Sequence, residues 1–255
     1  MKKIIIVLAF IVFVFGIYYF QNDKGYETFE YRDDFNDLDK EFWYAAKWNN
    51  GYFDVNQIDV NRGFISLKID QTDEGPYLLS KPITVEKGSV LTVKRRVQLK
   101  PGTDPFAGGF ALLETSDIGV IPSILNDEET KIGNGIVLVE YITEVPKNST
   151  RPGENTFRVL PRTWHIQESI TVQPSALEVW FNKNYALVPA KFNQWVEETL
   201  IYDSNTGLIT YDLDGDSYQV KGPLLSTGKV RLYIHGYGFG VDHEIVMDWL
   251  EVKVE

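Results

Sequence analysis

Two glutamates, Glu140 and Glu144, lie four positions apart in the segment GIVLVEYITEV. If this segment is a strand, alternate positions share one face, so both carboxyl groups would point the same way. Two carboxyl groups on one surface can act as nucleophile and general acid/base in the hydrolysis of a glycosidic bond. The alternative is two ordinary charges near the end of a strand. Alternation also puts Ile136, Leu138 and Ile142 on this face, so we expect it to be buried or wet only at its end.

A second acidic cluster, YDLDGDS, has Asp212, Asp214 and Asp216 at alternate positions. Three carboxylates could bind calcium, but the spacing differs from that of a helix-loop-helix calcium site, because Gly215 is fourth rather than sixth. Asp214-Gly215 is instead a strong signal for a two-residue hairpin turn. We predict a turn, with calcium binding as the weaker alternative.

Other catalytic or metal sites have little support in the sequence. There is no cysteine, which excludes disulfides, thiol nucleophiles and thiolate metal sites. The three histidines, His165, His235 and His243, fall in different segments without the H-E-x-x-H spacing of zinc enzymes. No G-x-S-x-G motif of a serine hydrolase occurs. We therefore expect no cofactor and no metal.

Short runs of alternating polar and apolar residues, separated by glycine, proline, asparagine and aspartate, predict antiparallel strands after residue 25. In GFISLKID, aliphatic residues at 65, 67 and 69 share one face. In GKVRLYIHGYG, those at 230, 232 and 234 oppose Arg231, Tyr233 and His235, and SALEVWFNKN likewise puts Glu178 and Trp180 opposite its apolar side. Further strands are predicted at 90–99, 110–115, 136–142, 157–160, 164–172, 195–202, 208–213 and 245–254. Many short strands without a repeat predict an all-β domain, an antiparallel two-sheet sandwich.

The first residues resemble an export segment. Lys2 and Lys3 precede an uncharged apolar run from Ile4 to Phe20. As a helix this run would be about 25 Å long, which is at the lower limit for spanning a bilayer. A cleaved signal peptide and an uncleaved anchor both stay open, and in either case the lysines favour an exported domain. We therefore divide the chain into a leader, 1–24, and one domain, 25–255.

The composition narrows the choice of partner. The 255 residues carry a net charge of −11, and the only basic run is Lys94, Arg95 and Arg96. Nucleic acid is an unsuitable partner, because phosphate binding needs clustered positive charge. A neutral polysaccharide is compatible with an acidic surface, although the charge does not require one.

Three stretches together resemble the concanavalin A-like lectin and glucanase superfamily, with laminarinase-type and lichenase-type glycoside hydrolases nearest. They are YRDDFNDLDKEFWYAAKW (31–48) followed by GFISLKID, WVEETLIYDSNTGLITYDLDG (195–215) and HEIVMDWLEVKVE (243–255). The resemblance covers residues 31 to 255 in order. It implies a jelly roll of two antiparallel sheets, one of them bent into a groove where saccharides bind.

The resemblance also implies roles for the two glutamates. Catalytic members carry glutamate, aspartate and glutamate at alternate positions of one strand, which makes Glu140 the nucleophile and Glu144 the acid/base. Ile142 stands at the middle position, so the pair lacks the carboxyl that helps to set its pKa values apart. This degenerate motif favours a domain that does not cut its ligand.

Aromatic residues are the better candidates for contacting a sugar. Sugar rings have apolar C–H faces on which flat side chains stack, while nearby polar groups bond the hydroxyls. Trp180 with Glu178, and Tyr233 with His235, lie opposite the aliphatic sides of their strands. Trp164 is a further candidate. We expect the other tryptophans Trp43, Trp195 and Trp249 to be structural.

Three functions follow from these patterns. The leading one is an exported, membrane-anchored or secreted β-sandwich that binds a polysaccharide or glycan without cleaving it. The second is a retaining glycosidase that acts on β-glucan-like polysaccharide through Glu140 and Glu144. The third is a structural or protein-binding module at the cell surface.

Overall fold

The computed structural model of the chain describes residues 28–49, 52–54, 58–60, 63–70, 74–102, 106–115, 131–142, 156–161, 165–167, 186–189, 191–238 and 242–255. The regular secondary structure of these residues is β-strand throughout. Within the same ranges, no helix is long and apolar enough to cross a membrane. The predicted leader, 1–24, lies outside the described residues.

Strands follow one another along the described chain as β1 (Phe29–Asp33), β2 (Trp43–Asn49), β3 (Tyr52–Asp54), β4 (Asp59–Val60), β5 (Ile65–Ile69), β6 (Glu74–Ser80), β7 (Ile83–Thr84), β8 (Val90–Lys100), β9 (Phe106–Glu114), β10 (Lys131–Ile142), β11 (Thr156–Pro161), β12 (His165–Gln167), β13 (Ala186–Pro189), β14 (Trp195–Asp203), β15 (Leu208–Leu213), β16 (Asp216–Lys221), β17 (Lys229–Gly238) and β18 (His243–Val254).

The strands form two antiparallel sheets. The eight-stranded sheet has the order β16-β15-β14-β8-β18-β5-β4, and β1 also pairs with β18. The ten-stranded sheet has the order β13-β11-β10-β9-β17-β6-β2-β3, with β12 paired to β10 and β7 to β17. Strands distant in sequence are neighbours in both sheets, as in a jelly roll, so the predicted all-β sandwich is confirmed.

One apolar core lies between the sheets. Alternate residues of β8 are buried, and the cluster they join includes inward positions of β5 and β17. The predicted aliphatic faces at 65, 67 and 69 and at 230, 232 and 234 are part of this cluster. Each sheet thus buries one face against the other, as in other β-sandwiches.

A buried ion pair interrupts this apolar core. Nε of Arg95 on β8 donates a hydrogen bond of 2.7 Å to Glu198 on β14, and both side chains are at most 1% exposed. The guanidinium of Arg95 also lies 4.2 Å from the ring centroid of Phe110 on β9 of the opposite sheet. The pair therefore joins two strands of one sheet and contacts the other sheet across the core.

The hairpin predicted at Asp214-Gly215 is confirmed. Leu213 of β15 pairs with Asp216 of β16, and the two residues between them have positive φ values of 50° and 92°. This is the conformation of the type I′ turn that aspartate-glycine favours. The Asp214 carboxylate accepts hydrogen bonds from the backbone N–H of Glu197 and from Lys191. Within the described ranges, no group of three or more potential ligands is placed to hold a metal ion.

The start of the domain is held by Asp33, the first aspartate of the DDF segment. Its buried carboxylate accepts a 2.9 Å hydrogen bond from the indole N–H of Trp43 and a 2.8 Å bond from the backbone of Phe35. Trp43 is only 3% exposed, so its predicted structural role is confirmed.

Candidate functional site

A second apolar cluster covers the outer face of the ten-stranded sheet, away from the core. Leu79, Ala111, Leu113 and Leu138 are buried there together with Tyr77, and Tyr44 and Tyr233 pack against them partly buried. We call the outward positions of β2, β6, β17, β9 and β10 the tyrosine face.

Strand alternation and register place the rings of this face. Inward residues of β17 enter the core, so Tyr233 and His235 must lie on the other side of the strand. Tyr233 is opposite Leu79 of β6 and Ala111 of β9, and His235 is opposite Tyr77 and Gly109. The predicted placement of Tyr233 and His235 away from the core agrees with the structure.

Four rings contact one another in series across three strands. The centroids of Tyr44 and Tyr77 are 6.0 Å apart, those of Tyr77 and Tyr233 are 5.6 Å apart, and those of Tyr233 and His235 are 4.9 Å apart. Tyr233 stacks on the imidazole at an interplanar angle of 22°. Tyr77 is 5% exposed, whereas Tyr44, Tyr233 and His235 are half-buried. The solvent-accessible aromatic surface of this cluster is therefore provided by Tyr44, Tyr233 and His235.

Burial controls the chemistry of these groups. Desolvation raises the pKa of the Tyr233 hydroxyl well above its ordinary value, so the phenol stays neutral near pH 7. Arg231, two positions earlier on β17, is also buried, and its guanidinium donates a 2.9 Å hydrogen bond to the backbone carbonyl of Ser80 on β6. The arrangement offers flat side chains on a rigid base, on which an apolar surface of a ligand can stack.

Glu140 occupies a strand position on this same face. It lies two residues after Leu138 in β10, opposite Gly109 of β9, and Gly109 in turn lies opposite His235 of β17. Positions 140 and 235 therefore flank a glycine, which has no side chain to separate them.

The prediction that Ile136 and Leu138 share one face of β10 is wrong. A β-bulge between Gly135 and Val137 lets both Ile136 and Val137 enter the core, whereas Leu138 joins the outer cluster. An extra residue in one strand shifts the alternation that follows it. Ile136 therefore does not share a face with Leu138, and the face of position 140 is not the inter-sheet core.

The other predicted site residues, Glu144, Trp164, Glu178 and Trp180, lie outside the described residues. Their roles, and their grouping with Tyr233 and His235, stay predictions. Glu140 and Ile142 are placed by the backbone of β10 alone.

The prediction that Trp195 is structural is wrong. Its neighbours in β14 alternate so that Val196 and Leu200 enter the core, which turns Trp195 outward with 38% of its surface exposed. Trp249 of β18 is half-buried and also lies outside the core cluster. Both belong to the outer face of the eight-stranded sheet.

Sequence reasoning missed Tyr44 and Tyr77, because neither β2 nor β6 was predicted. All residues from Pro76 to Ser80 are buried, so β6 has no polar side and shows no alternation. The available signal was a short apolar run bounded by glycine and lysine, which is consistent with a strand covered on both faces.

Neither comparison of sequences produced a relative, since no family model matches the chain and no curated protein matches it. Solved structures do resemble it. Peanut lectin is 12% identical with a TM-score of 0.58, covering 90% of this chain and 98% of its own. The carbohydrate recognition domain of Emp46p is 11% identical with a TM-score of 0.58, covering 86% and 93%. Endo-1,3-beta-glucanase from Streptomyces sioyaensis is 12% identical with a TM-score of 0.55, covering 90% and 97%.

At these identities the likeness concerns the fold. Lectins and glucanases share one arrangement of two antiparallel sheets, and most of the present chain superimposes on it. The predicted resemblance is thereby confirmed: the chain has the concanavalin A-like fold.

Proposed function

We propose that this protein binds a neutral carbohydrate on the tyrosine face without cleaving it. The observation that carries the proposal is the stacked, partly buried pair of Tyr233 and His235 on the outer face of the ten-stranded sheet. The fold is compatible with this function, since its solved neighbours include carbohydrate-binding proteins and a glucanase. Because fold alone does not determine function, the aromatic site supplies the argument.

The chemistry of the site fits an uncharged sugar. An aromatic ring contacts the C–H face of a sugar, and a phenol or imidazole at its edge bonds a hydroxyl. A net charge of −11 disfavours acidic polysaccharides, whose own charges would be repelled. The proposed ligand is therefore a neutral glycan, and β-1,3-glucan is a suitable first probe because one solved neighbour is an endo-1,3-beta-glucanase.

The test is isothermal titration of the protein with a panel of neutral oligosaccharides that includes β-1,3-glucan fragments. Tyr233→Ala should weaken binding roughly tenfold or more, as expected for a central aromatic contact worth about 1.4 kcal/mol or more. Leu208→Ala is the matched control, since Leu208 is an exposed apolar residue of the other sheet. Unchanged affinity in Tyr233→Ala would refute the site, and absence of binding by any glycan would favour a protein-binding module.

A retaining glycosidase is the second candidate, favoured by the position of Glu140 in the row of His235 and Gly109. Here Glu140 would be the nucleophile and Glu144 the acid/base, with carboxyl groups about 5 to 5.5 Å apart. Release of reducing ends from β-1,3-glucan that disappears in Glu140→Gln would establish this activity. No release by the wild-type protein supports the binding function instead.

We also propose that the domain lies outside the cytoplasm. The support is the sequence of the leader, in which Lys2 and Lys3 precede the apolar run 4–20. Protease added to intact cells should digest an anchored domain, and a cleaved domain should be found in the medium. A domain that is protected in whole cells and digested only after lysis would contradict the proposal.

A further inference from the structure

Two tryptophans lie on the face of the sandwich opposite to the tyrosine face. Trp195 of β14 is 38% exposed and Trp249 of β18 is half-buried. Both positions belong to the outer face of the eight-stranded sheet, because the inward residues next to them fill the core. When a ligand covers such a ring, apolar surface is removed from water, which favours binding.

Strand β8 runs between the two rings and sets their separation. Trp195 pairs with Gln98 of β8 on one side, and Trp249 pairs with Arg96 on the other. Two strand spacings of about 4.8 Å and a stagger of two residues of about 3.4 Å put their Cα atoms roughly 12 Å apart. Two rings whose Cα atoms have this separation on one surface can both contact one extended chain.

An arginine guanidinium lies over each of the two rings. The guanidinium of Arg96 lies 5.1 Å from the ring centroid of Trp195, and that of Arg32 lies 5.3 Å from Trp249. These cation–π contacts restrain the indoles, so less conformational entropy is lost when a ligand contacts the ring surface that the guanidinium does not cover.

The charges nearest the rings are compensated. Arg96 forms a 2.6 Å ion pair with Asp248, and Arg32 forms a 2.7 Å ion pair with Asp34 and a further pair with Glu251. Two cations paired with three carboxylates give no net positive field to attract a phosphate, a sulfated polymer or an anionic membrane. Flat rings surrounded by hydrogen-bonding groups without net positive charge suit a neutral polysaccharide.

We propose that Trp195 and Trp249 form a second saccharide-binding surface that holds an extended neutral polysaccharide on the outer face of the eight-stranded sheet. This surface is separate from the tyrosine face and lies on the opposite side of the sandwich. A chain with both surfaces binds long polysaccharide more tightly than short fragments, because two linked sites act together. It also bridges two polysaccharide strands.

The test is native gel electrophoresis of the full chain in non-ionic detergent, with and without soluble β-1,3-glucan in the gel. Tyr233→Ala should retain part of the retardation seen for the wild type. The double variant Trp195→Ala/Trp249→Ala should also lose part of it, and the triple variant should migrate as if no polysaccharide were present. We expect the apparent Kd for long polysaccharide to rise at least about fivefold in the double variant, with little change for short oligosaccharides.

Two controls separate binding from folding. Leu208→Ala removes an apolar side chain that is also 38% exposed on this sheet face, and it should behave as the wild type. Trp195→Leu keeps an apolar side chain without the flat ring, and it should lose as much of the retardation as Trp195→Ala does. Thermal unfolding of each variant shows that the domain is intact.

Several results would overturn the proposal. They are complete loss of retardation in Tyr233→Ala, wild-type retardation in the double variant, and no retardation of the wild type by the glucan. If the glucan did not retard the wild type, and sedimentation showed a dimer that Trp195→Ala dissociates, the face would instead bind a second copy of the chain. If the tryptophan variants lost retardation and Tyr233→Ala did not, the result would support binding at the tryptophans and refute binding at the tyrosine face.

Discussion

Tyr233 contacts Tyr77 and His235, and part of its ring stays open to solvent. Such a side chain loses little rotational freedom on binding, since its neighbours already fix it. Burial raises the pKa of its phenol, so the hydroxyl stays neutral and keeps both a donor and an acceptor. Stacking and hydrogen bonding can therefore be separated at this one residue.

We predict that Tyr233→Phe weakens binding of a neutral oligosaccharide by about fivefold or less, whereas Tyr233→Ala weakens it about tenfold or more. The phenylalanine ring preserves the stacking surface and removes only the hydroxyl, whose net contribution is about 1 kcal/mol. Isothermal titration of both variants measures the difference. Equal loss in the two variants would show that the hydroxyl, rather than the ring, dominates.

Glu244 is a second residue whose environment has a measurable consequence. Burial opposes ionisation of its carboxyl group, but hydrogen bonds from Lys100 and Ser66 outweigh this effect and lower its pKa. A lowered pKa in the folded state stabilises the protein above the ordinary pKa of glutamate, and this stability is lost as the pH falls through the lowered value.

We therefore predict that Glu244→Gln is less stable than the wild type at pH 7, by about 1 kcal/mol or less. Its stability should also fall less between pH 5 and pH 3, because the titrating group is gone. Urea unfolding at several pH values tests this. A larger acid-induced loss in the variant than in the wild type would contradict the account.

At the scale of strands, the buried pair of Arg95 and Glu198 links β8 to β14 and contacts Phe110 of β9. Phe110 follows Gly109 and precedes Ala111, both of which occupy the tyrosine face. Breaking a buried pair leaves one charge without its partner, which costs more than replacing both groups.

We predict that Arg95→Met destabilises the domain by about 3 to 5 kcal/mol and that adding Glu198→Leu recovers most of this loss. A double-mutant cycle in urea gives the coupling between the two positions. Additive effects of the two substitutions would show that the pair is not coupled in the folded protein.

The alternation of apolar and polar residues explains which strands were predictable from the sequence. It found β5 and β17, whose inward residues are aliphatic and whose outward residues are polar or aromatic. It also found β14, although this strand buries Glu198 and turns Trp195 outward. It failed at β6, which is buried on both faces, and at Ile136, where a bulge changes the alternation. The pattern records burial on one face, so it cannot reveal a strand covered on both.

The candidate site was only partly predictable for a related reason. Tyr233 and His235 could be assigned to one face from β17 alone, but their contact with Tyr77 depends on the pairing of β17 with β6. Such pairing joins residues that are distant along the chain. Trp195 was misassigned because tryptophan is usually counted as a core residue, while its strand position turns it outward.

For the whole molecule, the sandwich places the tyrosine face and the surface formed by Trp195 and Trp249 on opposite sides of one core. A net charge of −11 acts over the whole surface, yet a neutral ligand does not respond to it. Membrane attachment through residues 4–20 would present this two-sided domain outside the cell, which is the arrangement we propose.

We predict that binding of neutral glycan changes less than about twofold between roughly 0.05 and 0.5 M salt, because screening acts on charged partners. Titrations at several salt concentrations test this. An affinity that falls steeply with salt would indicate an anionic ligand and contradict the proposed substrate class.

The most direct test is a crystal structure of the protein with the oligosaccharide that binds most tightly in the panel. We predict a sugar ring whose carbon atoms lie within about 4 Å of the Tyr233 ring, next to His235. A sugar found only elsewhere on the domain, with the tyrosine face unchanged from the unbound protein, would contradict the central claim.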